Sequence, residues 1–284
     1  VSYTSTTGKV TVGDITAEAG TTATAMTSYT IVSGVNTSLN AYGDLDLGAD
    51  GTLATYSVTA GASVTGVANT YGEITAASVG AVNITTGNGG GTHTFATMAG
   101  VLTLGDITID ADDNVTITTG AVNATSVGDI HVTTIAGATV TMNTIGKAEA
   151  TMGSFTHVGL GTLTISTGNA LSVGAVTGGA GATTVTLSNT TTVGTTLTGG
   201  AGADTFTGTG GADTFTFGSA DVMSGRDGVD TFTAAAAVTS ATITGGSGAD
   251  TVTFANGVNT ATIVDDTSGI SVTGGTGIDT FTLA

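Results

Sequence analysis

The sequence predicts an all-β chain folded as a β-solenoid, or parallel β-helix, and two observations carry that prediction. Short runs of Thr, Val and Ile alternate along the chain and are broken by glycine every few positions, the pattern of half-buried strands between turns. A nine-residue unit also recurs in the last third, and a coil built from so short a unit cannot bury its own apolar side, so copies must stack. No segment has the periodicity of an amphipathic helix; Ala234 to Ala237 is too short and lies between strand triplets. The 284 residues include 47 glycines and no proline, and the 39% that are hydrophobic are mostly small, so the expected core is narrow.

Residues 1–177 are read as a Thr/Gly/Val-rich β domain forming an irregular solenoid. Its strands recur behind a glycine-acid step, at Gly13-Asp14, Gly43-Asp44, Gly72-Glu73, Gly105-Asp106 and Gly128-Asp129. Pieces such as Ser78 to Ile84 and Ser172 to Val176 read as further turns of the same stack. Two acidic clusters, Asp44, Asp46 and Asp50 with Gly51, and Asp110, Asp112 and Asp113 with Asn114, read as solvated acidic turns, with calcium binding as the alternative. Neither completes an EF-hand loop, because the glutamate expected at the twelfth position is missing. Asp265-Asp266 is a weaker candidate of the same kind.

Residues 178–284 carry the repeat. Gly199 to Thr207, Gly208 to Thr216, Gly225 to Thr233, Gly245 to Thr253 and Gly274 to Thr282 each run from a glycine-rich turn through an aspartate to a Thr-apolar-Thr triplet. Asp204, Asp213, Asp230, Asp250 and Asp279 thus share one repeat position. Glycine reaches φ > 0 without a Cβ penalty and lets carbonyl oxygens converge, while aspartate adds the negative charge a hard divalent cation needs. The residues two places on, Phe206, Phe215, Phe232, Val252 and Phe281, should point inward and leave the flanking threonines outside. Only the first two aspartates are nine residues apart; the later steps are 17, 20 and 29. That spacing suggests longer coils with metal-binding turns along one edge. The joint between the two segments is expected near residue 178, within one continuous solenoid or between two.

The unit resembles the calcium-binding nonapeptide Gly-Gly-x-Gly-x-Asp-x-apolar-x of the RTX family, although Thr209 and Arg226 replace the second glycine in two copies. Gly178 to Thr186 keeps the frame with Thr183 in place of the aspartate, a coil without a carboxylate for the ion. The resemblance implies several Ca²⁺ ions held at the first, third and sixth positions of each copy. In this sequence those are Gly199, Ala201 and Asp204; Gly208, Gly210 and Asp213; Gly225, Asp227 and Asp230; Gly245, Ser247 and Asp250; and Gly274, Thr276 and Asp279. Asp221, in an eroded frame, stands as an outer ligand candidate. The resemblance also implies a secreted bacterial protein that leaves through type I secretion, for which the apolar end Asp279 to Ala284 is suited.

Composition narrows the function. Three Lys or Arg against 21 acidic residues give a formal charge of −18, which repels nucleic acid and anionic membrane surfaces. No stretch approaches the ~18 consecutive apolar residues of a membrane span, so membrane insertion is not expected. Residues 1 to 30 lack the pattern of a signal peptide, and the chain begins at Val1. Without cysteine there is no disulfide scaffold. Enzymatic activity is not expected: His93, His131 and His157 are isolated and read as exposed strand residues, no zinc or nucleophile-elbow motif occurs, and Gly87 to Gly91 lacks the Lys-Ser/Thr of a phosphate loop.

Function is therefore expected from a surface. The first reading is a calcium-folded subunit of a bacterial surface layer or related extracellular assembly, which the chain resembles in being acidic, Thr/Gly/Ala-rich and free of Cys. Its partners would be copies of itself in a lattice or fibre, with cell-surface polysaccharide as a further partner. The second is a calcium-dependent adhesin or ice-binding segment using the outward Thr pairs, an array that uneven coil lengths are expected to disturb. The third is the non-catalytic secretion and folding module of a larger RTX enzyme.

Overall fold

The computed structural model describes residues 1–5, 11–16, 25–33, 41–47, 51–60, 70–76, 78–86, 91–96, 102–111, 115–119, 124–134, 136, 138–145, 151–167, 172–187, 193–264 and 268–284. Among them every regular element is a strand. The strands pair in parallel, each over its counterpart one coil earlier, and build a 17-stranded sheet, a 13-stranded sheet and a small 3-stranded one. Parallel pairing of successive coils is the definition of a solenoid, so the predicted class holds.

The coil length follows the sequence. It is 30 residues from Ile15 to Leu45, 25 from Val82 to Ile107, 17 from Phe215 to Phe232 and 20 from Val252 to Val272. Apart from slips between Leu102 and Thr103 and between Met142 and Ile145, the strands nevertheless remain in register, so most of the variation in length resides in the turns. The rows of outward threonines are consequently regular. Thr177, Thr198, Thr216, Thr233, Thr253 and Thr273 follow one another up the larger sheet, with Thr196, Thr214, Thr231 and Thr251 beside them. The expectation that uneven coils would spoil the array is corrected, because ladder hydrogen bonds fix the strand spacing at about 4.8 Å whatever the turn does.

Side chains alternate across the strands. Ile130–Thr134 and Thr231–Ala234 each bury every second residue. In-register stacking then places like on like in the core: Phe215 lies on Phe232 with ring centroids 4.6 Å apart, Tyr42 on Tyr71 at 5.6 Å, and Tyr29 on Tyr56 at 6.0 Å. Each buried aromatic removes enough apolar surface from water to stabilise the fold by about 1.5–3 kcal/mol, and stacking adds to that.

The glycine-acid steps form a corner of the stack. Asp44 donates its backbone N–H to Asp14 Oδ1 at 3.0 Å, Glu73 to Asp44 Oδ1 at 2.7 Å, Asp129 to Asp106 Oδ1 at 3.0 Å and Ser154 to Asp129 Oδ1 at 2.8 Å. The glycine lets the corners close up: a Cβ on Gly128 would lie 2.3 Å from Asp106 Oδ1 and 2.7 Å from the Gly105 carbonyl carbon. These exposed acids therefore join coils by direct hydrogen bonds. Asp50 of the first acidic cluster and Asp112, Asp113 and Asn114 of the second lie outside the described residues, as do Asp265-Asp266 and Gly87 to Gly90. Asp110 sits on the strand Ile107–Ala111, in register with Thr85 and Thr133.

The ladders run through residue 178 without a break, Val176 pairing with Leu197 and Val185 with Phe206. His131 is exposed as expected, but His157 is not. It is 2% exposed, its Nε2 bonded to Thr134 Oγ1 at 3.0 Å and its Nδ1 to Thr183 Oγ1 at 2.8 Å. The expectation of an exposed histidine is corrected: on the strand Phe155–Gly159 it takes the inward phase, and two hydroxyls satisfy both ring nitrogens.

Candidate metal centre

Each nonapeptide is a turn followed by a strand, and the apolar residue of each triplet faces the core as expected. Phe206, Phe215, Phe232 and Val252 are fully buried, and Phe281 in the last coil is half-buried. The aspartate before each triplet ends the turn at the sheet's edge. Nine residues are half a coil here, so the tandem aspartates Asp204 and Asp213 fall on opposite edges of the solenoid. Asp213, Asp230 and Asp250 stack on one edge above Thr195, because Thr196, Thr214, Thr231 and Thr251 pair in succession. Asp204 stacks on the other edge above Thr183, and Asp221 above Asp204. The expectation of turns along one edge is thus corrected to two ladders; the 17- and 20-residue steps are whole coils, the nine-residue step is half a coil, and the 29-residue step from Asp250 to Asp279 is a coil and a half that crosses from the larger sheet to the smaller.

The two ladders share a hydrogen-bond rule. In each aspartate Oδ1 accepts the backbone N–H of its counterpart one coil earlier: Thr183 to Asp204 at 2.7 Å, Asp204 to Asp221 at 2.9 Å, Thr195 to Asp213 at 2.6 Å, Asp213 to Asp230 at 2.7 Å and Asp230 to Asp250 at 2.8 Å. In three turns Oδ2 accepts an N–H from its own turn: Gly200 to Asp204 at 2.7 Å, Thr209 to Asp213 at 2.6 Å and Gly218 to Asp221 at 2.6 Å. These bonds run opposite to those of the upstream corner, where the earlier coil supplies the carboxylate.

Burial makes the charge costly. Asp204, Asp221 and Asp230 have no exposed surface, and Asp213 and Asp250 nearly none. Burial lifts the Asp204 carboxyl to about 6 against the bonds from Thr183 and Gly200, with Asp221 adding a like charge. It lifts Asp230 to about 7, where Asp213, Asp250 and Asp227 add theirs. Asp213 and Asp221 are raised by burial as well. Backbone N–H groups alone do not compensate this ladder of carboxylates.

The first glycine of each turn lets a carboxylate oxygen close up on the main chain, where a side chain would exclude it. A Cβ would lie 2.0 Å from Asp230 Oδ2 at Gly225, 2.4 Å from Asp250 Oδ2 at Gly245, 2.3 Å from Asp213 Oδ2 at Gly208 and 2.3 Å from Asp279 Oδ2 at Gly274. At Gly199 it would meet two carboxylates, Asp221 Oδ2 at 2.8 Å and Asp204 Oδ2 at 3.1 Å. The same Cβ on Gly225 would lie 2.5 Å from the Gly245 carbonyl oxygen, so that oxygen and Asp230 Oδ2 converge there, and Asp230 Oδ2, buried, has no hydrogen-bond partner. Carboxylate and carbonyl oxygens converging at a glycine turn are a hard-cation donor set. Among the described residues no three acidic or histidine side chains gather at one point, so main-chain carbonyls must complete the coordination.

The comparison with protein families decides what the turns are. Residues 194–221 and 242–261 match the model of the RTX calcium-binding nonapeptide repeat (4 copies). The turns within these residues are RTX calcium-binding repeats. No curated protein and no solved structure matches the chain. Calcium is the ion that RTX repeats bind, and the donor set above fits it.

The third-position residues of the RTX turns are peripheral. Ala201, Asp227, Ser247 and Thr276 are exposed and Gly210 is half-buried; Ser247 Oγ donates to Asp227 Oδ1 at 2.5 Å, and Thr276 N–H to Asn256 Oδ1 at 2.9 Å. One member of the RTX ladders escaped the sequence reading, and another was expected only as an outer ligand. Asp221, expected as an outer ligand, is a full rung; its frame is eroded because its turn is shorter and Ala220, at φ 69°, takes the left-handed conformation that glycine takes elsewhere. Asn259 is a fully buried rung with an amide in place of the carboxylate, and it stacks under Asp279. An Asn four residues after Ala255 and 20 before Asp279 was the available signal.

Proposed function

We propose that this chain is a structural protein of the bacterial exterior, a subunit of a surface layer or related assembly, locked by calcium in its C-terminal part. The observation that carries this reading is the pair of RTX ladders: buried aspartates whose charge a divalent cation would neutralise, built into a continuous stack that otherwise offers long outer faces. RTX repeat proteins are typically secreted, which supports an extracellular location. A cytosol poor in free calcium would keep the ladders loose for export, and calcium outside would set them by mass action. With a formal charge of −18, neighbouring copies repel unless cations lie between them, so calcium would also govern the contacts of the assembly. In this reading the chain acts through its surface and not as an enzyme, its partners are copies of itself, and cell-surface polysaccharide anchors it.

The regular threonine rows favour a second reading, a calcium-dependent adhesin that presents a flat hydroxyl and methyl face, including to ice. The non-catalytic module of a larger RTX enzyme is the third, and a catalytic motif elsewhere in the reading frame would establish it. Chelation separates the first reading from the others. Treating cells with a calcium chelator should release the protein as monomers and abolish any two-dimensional order seen by electron microscopy of the cell surface. An intact lattice after exhaustive calcium removal would contradict the proposal.

A further inference from the structure

The Asp204 ladder begins on a residue that is not acidic, and a histidine lies beneath it. Thr183 is fully buried and donates its N–H to Asp204 Oδ1 at 2.7 Å, as Asp204 does to Asp221 one rung higher. Its hydroxyl lies 2.8 Å from His157 Nδ1 and also bonds the Asp204 carboxylate. A Cβ on Gly178 would lie 3.1 Å from Asp204 Oδ2 and 3.2 Å from Thr183 Oγ1, so both groups face the same glycine. The register places His157 beneath Gly178 and Gly178 beneath Gly199, one residue past the pairs Thr156–Thr177 and Thr177–Thr198. The histidine thus takes, one coil below the copy without a carboxylate, the position that the first glycine holds in the copies above.

The protons of this contact chain can be placed one by one. An ionised Asp204 only accepts, so the single hydroxyl proton of Thr183 goes to it and Thr183 Oγ1 accepts from His157. Nδ1 then carries the imidazole proton, and Nε2 is the acceptor. Thr134 Oγ1, 3.0 Å from Nε2, donates to it and itself accepts the Gly161 N–H at 2.9 Å. Thr134 is 3% exposed and His157 2%, so water does not compete for these bonds. All of them point one way, from the Gly161 main chain in the upstream coils to the first carboxylate of the ladder. The opposite tautomer would turn the Thr183 proton toward Nδ1 and away from Asp204.

We propose that Gly161, Thr134, His157 and Thr183 form a directed hydrogen-bond relay that orients Asp204 for calcium, with His157 as a positioning residue that does not itself touch the ion. This rests on the reading that calcium is held in the RTX turns. The relay gives the Asp204 ladder a first rung fixed from the coils below.

Two measurements on the whole chain test it. Long-range proton–nitrogen NMR of histidine-labelled protein, with His157 identified by the resonances lost in His157→Phe, should show Nδ1 protonated and Nε2 bare; a protonated Nε2 overturns the proposal. The second is the calcium concentration that half-protects the amides of the strand Thr205–Thr207 from hydrogen exchange. Thr183→Val should raise it roughly tenfold, the effect of removing a hydrogen bond to a charged group. Thr183→Ser should leave it unchanged, His157→Phe should raise it severalfold, and the double variant Thr183→Val/His157→Phe should raise it no further than Thr183→Val alone, because the two residues act through one bond to Asp204. Additive losses, or an unchanged concentration in Thr183→Val, overturn the relay. The tautomer is read on the wild type and decides the matter where a variant does not fold. A wild-type strand whose protection does not respond to calcium would instead overturn the reading beneath it.

Discussion

A buried carboxylate is the residue on which the behaviour of this chain turns. Folding without metal raises Asp204 to about 6 and Asp230 to about 7, both chiefly by burial. Between about pH 4 and 7 the metal-free folded state therefore holds more protons than the unfolded chain, and its stability falls as pH rises through that window. Thermal unfolding in a chelator should show a melting temperature that drops from pH 4 to pH 7, and excess calcium should remove the drop by replacing the proton. A melting temperature that rises with pH in chelator would contradict the assignment. The aromatic next to the carboxylate is a separate contribution: Phe232, fully buried and stacked on Phe215, should cost about 3–5 kcal/mol when changed to alanine, in calcium as well as without it, by chemical denaturation.

At the scale of the element, the turn sets both the stacking and the site. The upstream corners need glycine because the main chain of the coil below occupies the place of a Cβ; Gly128→Ala should destabilise the stack by about 1–3 kcal/mol through overpacking against Asp106 and Gly105, measured by denaturant unfolding. Much of this level was legible in the sequence. The Thr-apolar-Thr triplets announced strands with an inward Phe, and the five aspartates announced the metal turns, because both depend on chemistry within nine residues. The edge on which each turn falls was not legible, since it depends on how many residues complete a coil, and that is known only once Thr205 is seen to pair with Val222 and Thr214 with Thr231. Asp221 was read only as an outer ligand, and Asn259 was hidden, for a related reason: one sits in a shortened turn and the other replaces the carboxylate with an amide, so neither keeps the nonapeptide frame. His157 was misplaced because an alternating strand does not say which phase is inward when a histidine finds two hydroxyl partners across coils.

At the scale of the molecule, two kinds of coil share one continuous stack. The earlier coils are joined by exposed corner acids that bond directly to the next main chain, and they contain the larger tyrosine stacks. The later coils place their carboxylates inside, and on the proposed reading an ion that binds only the assembled turns stabilises them. Such an ion stabilises the folded state by about 2.7 kcal/mol per site at a concentration 100-fold above its dissociation constant. The stack should accordingly behave as a chain of neighbours whose far end is switched by metal while the near end is not. Hydrogen exchange of the backbone amides, read by mass spectrometry with and without calcium, tests this most directly. The account predicts that removing calcium exposes the amides of residues 196–264 to exchange while those of strands such as Ile130–Thr134 and Thr162–Thr167 stay protected. Equal protection of both regions in chelator and in calcium would contradict it.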